Sequence, residues 1–268
     1  MTTSNLYVHE AGDGPALLLL HAFPCDGSMW APQMEAAARS GWRAVAPDLP
    51  GFGASALPSE DPDLDVVVDD LLEVLAERDI DRAVVCGSSM GGYLTMGLLR
   101  RRASLVAAVV LCGTKATADG SAARANREHL AKRVLAAPGE TPAILQDAVL
   151  PNLLGATSHR DRPAAVDQVR RWIGAVQADT VAWYQRAMAR RPDSVADLAA
   201  AGVPALVVWG EEDAMSSREE QELMVGAASG SRLQIVANAG HLVTIEEPEV
   251  VNDGLLSFLE ALPGERDA

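Results

Sequence analysis

A chain of 268 residues with 49% apolar and 22% charged side chains has the balance of an ordinary globular protein and enough length to bury one large core or two small ones. Its 37 Asp and Glu against 22 Lys and Arg give a formal charge of −15, which disfavours nucleic acid or an anionic membrane surface as partner, because both need a positive field. No apolar run approaches the ~18 residues of a membrane span, and the opening MTTSNLYVHEAGDG lacks the basic and apolar parts of a secretory signal.

Short apolar runs closed by turn residues predict, in order, strands over Ala16–Leu20 and Trp42–Ala46, a helix over Val66–Glu77, a strand over Ala83–Cys86, a helix over Gly92–Arg101 and a strand over Leu105–Cys112. From about residue 115 to residue 200 the rhythm changes. Helical spacing in Ala122–Leu135, Ala164–Gln177 and Val181–Met188 is separated by Pro138, Pro142, Pro151 and Pro163, and no strand-like run occurs. Strands resume at Ala205–Trp209 and Leu233–Ala237. Apolar runs without alternation suit a sheet covered on both faces, and their alternation with helices predicts a parallel α/β fold. The middle also differs in charge: residues 115–195 hold 12 Lys and Arg against 8 Asp and Glu, a net of +4, which leaves −19 on the remainder. The expected organisation is a core of residues 1–114 and 200–268 with a helical cap at 115–199.

Functional groups of α/β folds tend to sit on loops beyond the carboxyl ends of strands. GSSMGG, residues 87–92, follows the strand ending at Cys86 and opens a helix. Centred on Ser89 it reads Gly87-Ser88-Ser89-Met90-Gly91, a GxSxG pattern; centred on Ser88 the flanking positions are Cys86 and Met90, which fit no pattern. A nucleophile lifted off the sheet by a sharp strand-to-helix turn needs small residues two positions either side. Ser89 is therefore the candidate nucleophile, at the positive end of a helix.

A serine hydroxyl needs a base, and the base an acid to orient it. Of five histidines, His241 lies late in the chain at a loop beyond the last strand, whereas His21 ends the ALLLL strand and is expected to brace a loop. In the order Ser, Asp, His the acid falls between them, and Asp213 in GEED follows the strand Ala205–Trp209. An oxyanion needs two backbone donors. Met90 supplies one, and the HAFP loop supplies the other from Phe23 or Ala22, because Pro24 has no N–H.

With these groups in place the sequence resembles the α/β-hydrolase superfamily over nearly its whole length, through HAFP at 21–24, DLPGFGAS at 48–55, GSSMGG, GEED at 210–213 and AGHLVTIEEP at 239–248. The resemblance implies a mostly parallel eight-stranded sheet with helices on both faces, a helical cap, a Ser89–Asp213–His241 triad and Phe23 and Met90 as oxyanion donors. It casts Asp48 as a loop brace, and Ala22 departs from the more usual HGFP. It also implies a serine hydrolase of carboxylic esters or lactones, closest to the small esterases, enol-lactonases and perhydrolases, working without a cofactor on a small molecule. The same triad would serve a cofactor-free perhydrolase or haloperoxidase or a C–C bond hydrolase, and a hydrolase-fold ligand receptor is a further alternative.

In similar proteins the cap shapes the substrate pocket, so Trp183 and Met188 are taken as pocket residues, and Cys25 is taken as a third because it lies two residues past Phe23. The cap carries Arg124, Arg127, Lys132, Arg133, Arg170, Arg171, Arg186, Arg190 and Arg191. Either one reaches inward to favour a carboxylate-bearing substrate, or they coat solvated helix faces. Three cysteines without a CxxC pair argue against a disulfide framework, and no His or Cys spacing supports a metal. A reducing cytoplasm is the expected home, and a homodimer is left open.

Overall fold

The computed structural model of the protein describes residues 6–262. Seven strands form one sheet: β1 (Val8–Ala11), β2 (Ala16–Leu20), β3 (Arg43–Pro47), β4 (Ala83–Ser88), β5 (Val106–Cys112), β6 (Ala205–Gly210) and β7 (Arg232–Val236), in the spatial order β1-β3-β2-β4-β5-β6-β7. β1 runs antiparallel to β3 and every other pair is parallel. Every residue of β2, β4, β5 and β6 is buried, as runs without alternation require of a doubly covered sheet.

Eight strands were expected, and the described residues contain seven. The backbone just ahead of β1 is engaged by a loop instead of a further strand. Tyr7 N–H donates to Ser55 Oγ at 2.9 Å, and the Tyr7 carbonyl accepts from Asp48 N–H at 2.8 Å.

The helices Ala31–Arg39 and Pro248–Glu260 pack together, while Leu64–Ala76, Met90–Arg102, Val195–Ala201 and Arg218–Ala227 form a second group. Local chemistry sets their starts. Asp63 accepts the N–H of Asp65 at the head of Leu64–Ala76, and Ser217 and Glu220 form a reciprocal capping box at the head of Arg218–Ala227.

Between β5 and β6 the chain is helical, and its two long elements Ser121–Ala136 and Ala178–Arg190 lie side by side. The four prolines that separate the helical stretches each stand in the first turn of a new helical segment, where the missing N–H would have had no partner. Among the described residues no helix is long and apolar enough to cross a membrane.

Candidate active site

Ser89 sits between β4 and the helix Met90–Arg102 with φ 50° and ψ −109°, backbone strained for a residue with a side chain. Its surroundings hold it there. Ser89 N–H donates to the Cys112 carbonyl at 2.9 Å, and the Ser89 carbonyl accepts from Thr114 Oγ1 at 2.7 Å. A Cβ at Gly87 would overlap the Gly91 carbonyl, and one at Gly91 would overlap the backbone of Leu20 in β2. Both glycines are thus required by close approach, one between strand and helix and one between helix and sheet.

Ser88, the last residue of β4, points elsewhere. It is fully buried, pairs in register with Cys112 of β5, and its hydroxyl has no hydrogen-bond partner among the described residues. Ser89 Oγ, in contrast, lies 2.8 Å from His241 Nε2. On the other side of the ring, His241 Nδ1 is 3.1 Å from each Asp213 oxygen. His241 is 3% exposed, so its ring is shielded from bulk water, while half-buried Ser89 opens onto the cavity.

Asp213 also accepts from Met215 N–H at 2.7 Å, Ser216 N–H at 3.2 Å and Ser216 Oγ at 2.5 Å. Burial pushes its carboxyl up, but the adjacent His241 and these donors outweigh burial and hold it below its ordinary value, so it stays charged. Its neighbour Glu212 faces away and accepts from Thr157 N–H and Oγ1 at 2.8 and 2.6 Å.

The HAFP loop is fixed by His21, whose Nδ1 is 3.0 Å from the Ala22 carbonyl and whose Nε2 accepts from Leu49 N–H at 2.9 Å. Burial lowers the His21 pKa to about 4, so the ring is neutral; the Leu49 N–H then assigns the proton to Nδ1. Ala22 N–H is taken by Met29 Sδ at 3.3 Å, which leaves Phe23 as the loop's donor. Met90 heads its helix, where no helical carbonyl reaches the N–H. Phe23, Ser89 and His241 line one cavity of about 440 Å³.

The remaining pocket expectations divide. Met188 lines this cavity, but Trp183 and Cys25 do not. Trp183 and Met188 share the helix Ala178–Arg190, and five residues rotate a side chain by about 140°, so both cannot face the same way. Trp183 instead donates to the Glu60 carbonyl at 2.9 Å and packs edge-on to Tyr184. Cys25 N–H bonds back to the Ala22 carbonyl, and the buried Cys25 borders a separate cavity of about 410 Å³ together with Phe52 and Trp172. Burial raises its pKa, so the thiol stays protonated.

Several neighbours were not anticipated. Tyr93 lines the cavity one helical turn after Ser89, a spacing that places both on one face and could have revealed it. Asp119 lines the cavity between Arg191 Nη2 at 2.8 Å and Arg127 Nε at 2.5 Å. Glu246, 3% exposed, accepts from Gly240 N–H at 2.9 Å and Gly155 N–H at 2.7 Å; burial pushes its pKa up. Nothing in local sequence distinguishes these acids from surface ones.

Comparison with known proteins agrees with the fold. The alpha/beta hydrolase family model matches residues 17–253. A curated relative, the (E)-2-((N-methylformamido)methylene)succinate hydrolase of Acinetobacter baylyi, is 27% identical over 95% of this chain and 94% of its own. A thermophilic esterase from Thermogutta terrifontis, solved with malate bound, is 32% identical with a TM-score of 0.91, covering 96% of this chain and 93% of that one. An enol-lactonase from Burkholderia xenovorans is 26% identical with a TM-score of 0.86, covering 95% and 96%. A match to most of the length and a shared fold over nearly all of it carry the same conclusion: the chain belongs to the α/β hydrolase family.

Proposed function

We propose that the protein hydrolyses carboxylic esters or lactones of small molecules through an acyl-enzyme, with Ser89 as nucleophile, His241 as base and Asp213 as orienting acid. The observation that carries this reading is the unbroken hydrogen-bonded line from Ser89 Oγ through the His241 ring to the Asp213 carboxylate. Similarity to an esterase and an enol-lactonase supports the substrate class.

In the first half-reaction Ser89 Oγ attacks the carbonyl carbon while His241 Nε2 takes the hydroxyl proton. Charged Asp213 fixes the proton on Nδ1 and stabilises the imidazolium that forms. The oxyanion lies between the N–H groups of Met90 and Phe23, reinforced by the amino end of the helix Met90–Arg102. Collapse breaks the ester C–O bond, and the leaving alkoxide takes the proton from Nε2. A water molecule then repeats the cycle against the acyl-enzyme, giving up a proton to Nε2 and releasing the acid and Ser89. The three cysteines are free and buried, which supports a reducing compartment as the place of action.

A fluorophosphonate probe followed by peptide mapping tests the assignment. Modification at Ser89, lost in Ser89→Ala together with hydrolysis of 4-nitrophenyl acetate, is the expected result. Full hydrolysis by Ser89→Ala would overturn it.

A further inference from the structure

Three cations and one carboxylate, Lys115, Arg127, Arg133 and Asp119, line the cavity over Ser89. Two of the cations are already engaged. Arg127 donates to Asp119, to Gln185 Oε1 at 3.2 Å and to Met188 Sδ at 3.5 Å. Lys115 Nζ lies 3.4 Å from Glu220 and 3.7 Å from Asp119. Burial alone would push the Asp119 carboxyl up, yet hydrogen bonds and charge from Arg191 and Arg127 hold it well below the usual carboxylate range, so this cluster keeps its own charges matched.

Arg133 is different. The acid nearest its guanidinium is Asp147, at 4.0 Å, and that side chain is 81% exposed and so mostly solvated. Arg133 stands seven residues after Asn126 and three after Leu130 on the helix Ser121–Ala136, so all three share the face that lines the cavity. Asn152 lines the cavity from the helix Leu150–Leu153. Neither the Asn126 nor the Asn152 carboxamide has a protein hydrogen-bond partner among the described residues. The cavity is therefore apolar where Leu130, Leu153 and Met188 line it, and its lining also carries an underused guanidinium and two solvent-exposed amides.

Resting on the hydrolase reading above, we infer that Arg133, with Asn126 and Asn152, forms a subsite for a second carboxylate on the substrate, so that the preferred substrates are monoesters or lactones of dicarboxylic acids. A planar guanidinium binds a carboxylate through two parallel hydrogen bonds, and amide N–H groups can take the remaining lone pairs. A formal charge of −15 repels an anion at long range, whereas the cavity lining sets three cations, Lys115, Arg127 and Arg133, against one acid, Asp119. The subsite thus selects by charge what the Ser89 end of the cavity cannot distinguish.

The test compares mono-4-nitrophenyl adipate with 4-nitrophenyl hexanoate, which match in chain length and leaving group. Wild type should give the higher kcat/KM with the adipate, and Arg133→Gln should lower the adipate-to-hexanoate ratio about three- to tenfold, as expected for a half-exposed charged hydrogen bond. Raising the salt concentration should lower the wild-type ratio in the same direction. A wild-type ratio at or below one, or a ratio untouched by Arg133→Gln, would overturn the subsite while leaving the hydrolase reading intact. If neither ester is cleaved, the hydrolase reading fails, and thermal stabilisation by adipate dianion decides the subsite. A shift that disappears in Arg133→Gln supports it, and no shift in wild type overturns it.

Discussion

Gly155 and Gly240 lie against each other with both N–H groups aimed at one carboxylate, that of Glu246. Gly240 immediately precedes His241, and Gly155 belongs to the helical segment between β5 and β6, so a single buried acid ties the loop carrying His241 to that segment. The neighbouring bonds from Leu242 N–H to the Leu153 carbonyl at 3.0 Å and from Thr157 to Glu212, next to Asp213, extend the tie to the loop of Asp213.

Glu246→Gln keeps the size but offers one oxygen for two donors. One buried N–H then loses its partner, at a cost of about 1–3 kcal/mol. For a chain of this length that is a fall of roughly 2–4 °C in Tm per kcal/mol. Because the displaced loop carries His241, kcat should fall more than KM rises, which calorimetry and steady-state kinetics on one sample would show.

Ser88→Ala removes a buried hydroxyl that has no partner. Turnover should stay near wild type, and stability should rise by up to about 1 kcal/mol as an uncompensated polar group leaves the core. A large loss of activity would mean that the two serines share the work.

The Asp213 carboxylate is held by Ser216 Oγ as well as by His241. Asp213→Asn should lower kcat on the order of 10⁴-fold, because the amide can present an N–H to Nδ1 and favour the wrong tautomer. Ser216→Ala should cost far less, about tenfold or below, by loosening the carboxylate without changing its charge. Steady-state kinetics on a nitrophenyl ester would rank the two.

Asp119 makes acid stability measurable. Its folded pKa lies below the unfolded value of 3.8, so the unfolded chain binds its proton first on acidification. The stabilisation is complete above that value and is lost as pH falls through the depressed folded pKa. Asp119→Asn should destabilise at neutral pH by about 3 kcal/mol, since buried Arg191 loses its counter-charge. The variant's denaturation midpoint should then fall less steeply below pH ~4 than that of wild type.

Much of the core was legible because its signals are local. The unalternating runs of β2, β4, β5 and β6 are buried along their full lengths, and the spacing of Gly87 and Gly91 around Ser89 reflects a steric need that only small residues meet. β1 was missed because its four residues, three half-exposed and Glu10 exposed, carry no pattern. The cavity was legible only in part, since helical phase decides which residues of the segment between β5 and β6 face it. Met188 and Trp183 look alike as apolar residues, and only rotation about the helix separates them. Glu246 and Asp119 were invisible because a buried acid reads as a surface acid until its donors, distant in sequence, are in place.

The tie between the turn at Leu153–Thr157 and the loops of His241 and Asp213 bears on how such proteins diversify. A cap joined to the core only through its two chain ends could be exchanged whole between relatives as an interchangeable module. Here an exchange would sever the bonds that Gly155, Leu153 and Thr157 make with the loops of His241 and Asp213. New specificity is more accessible through single replacements on the cavity-facing side of Ser121–Ala136, which makes none of those bonds.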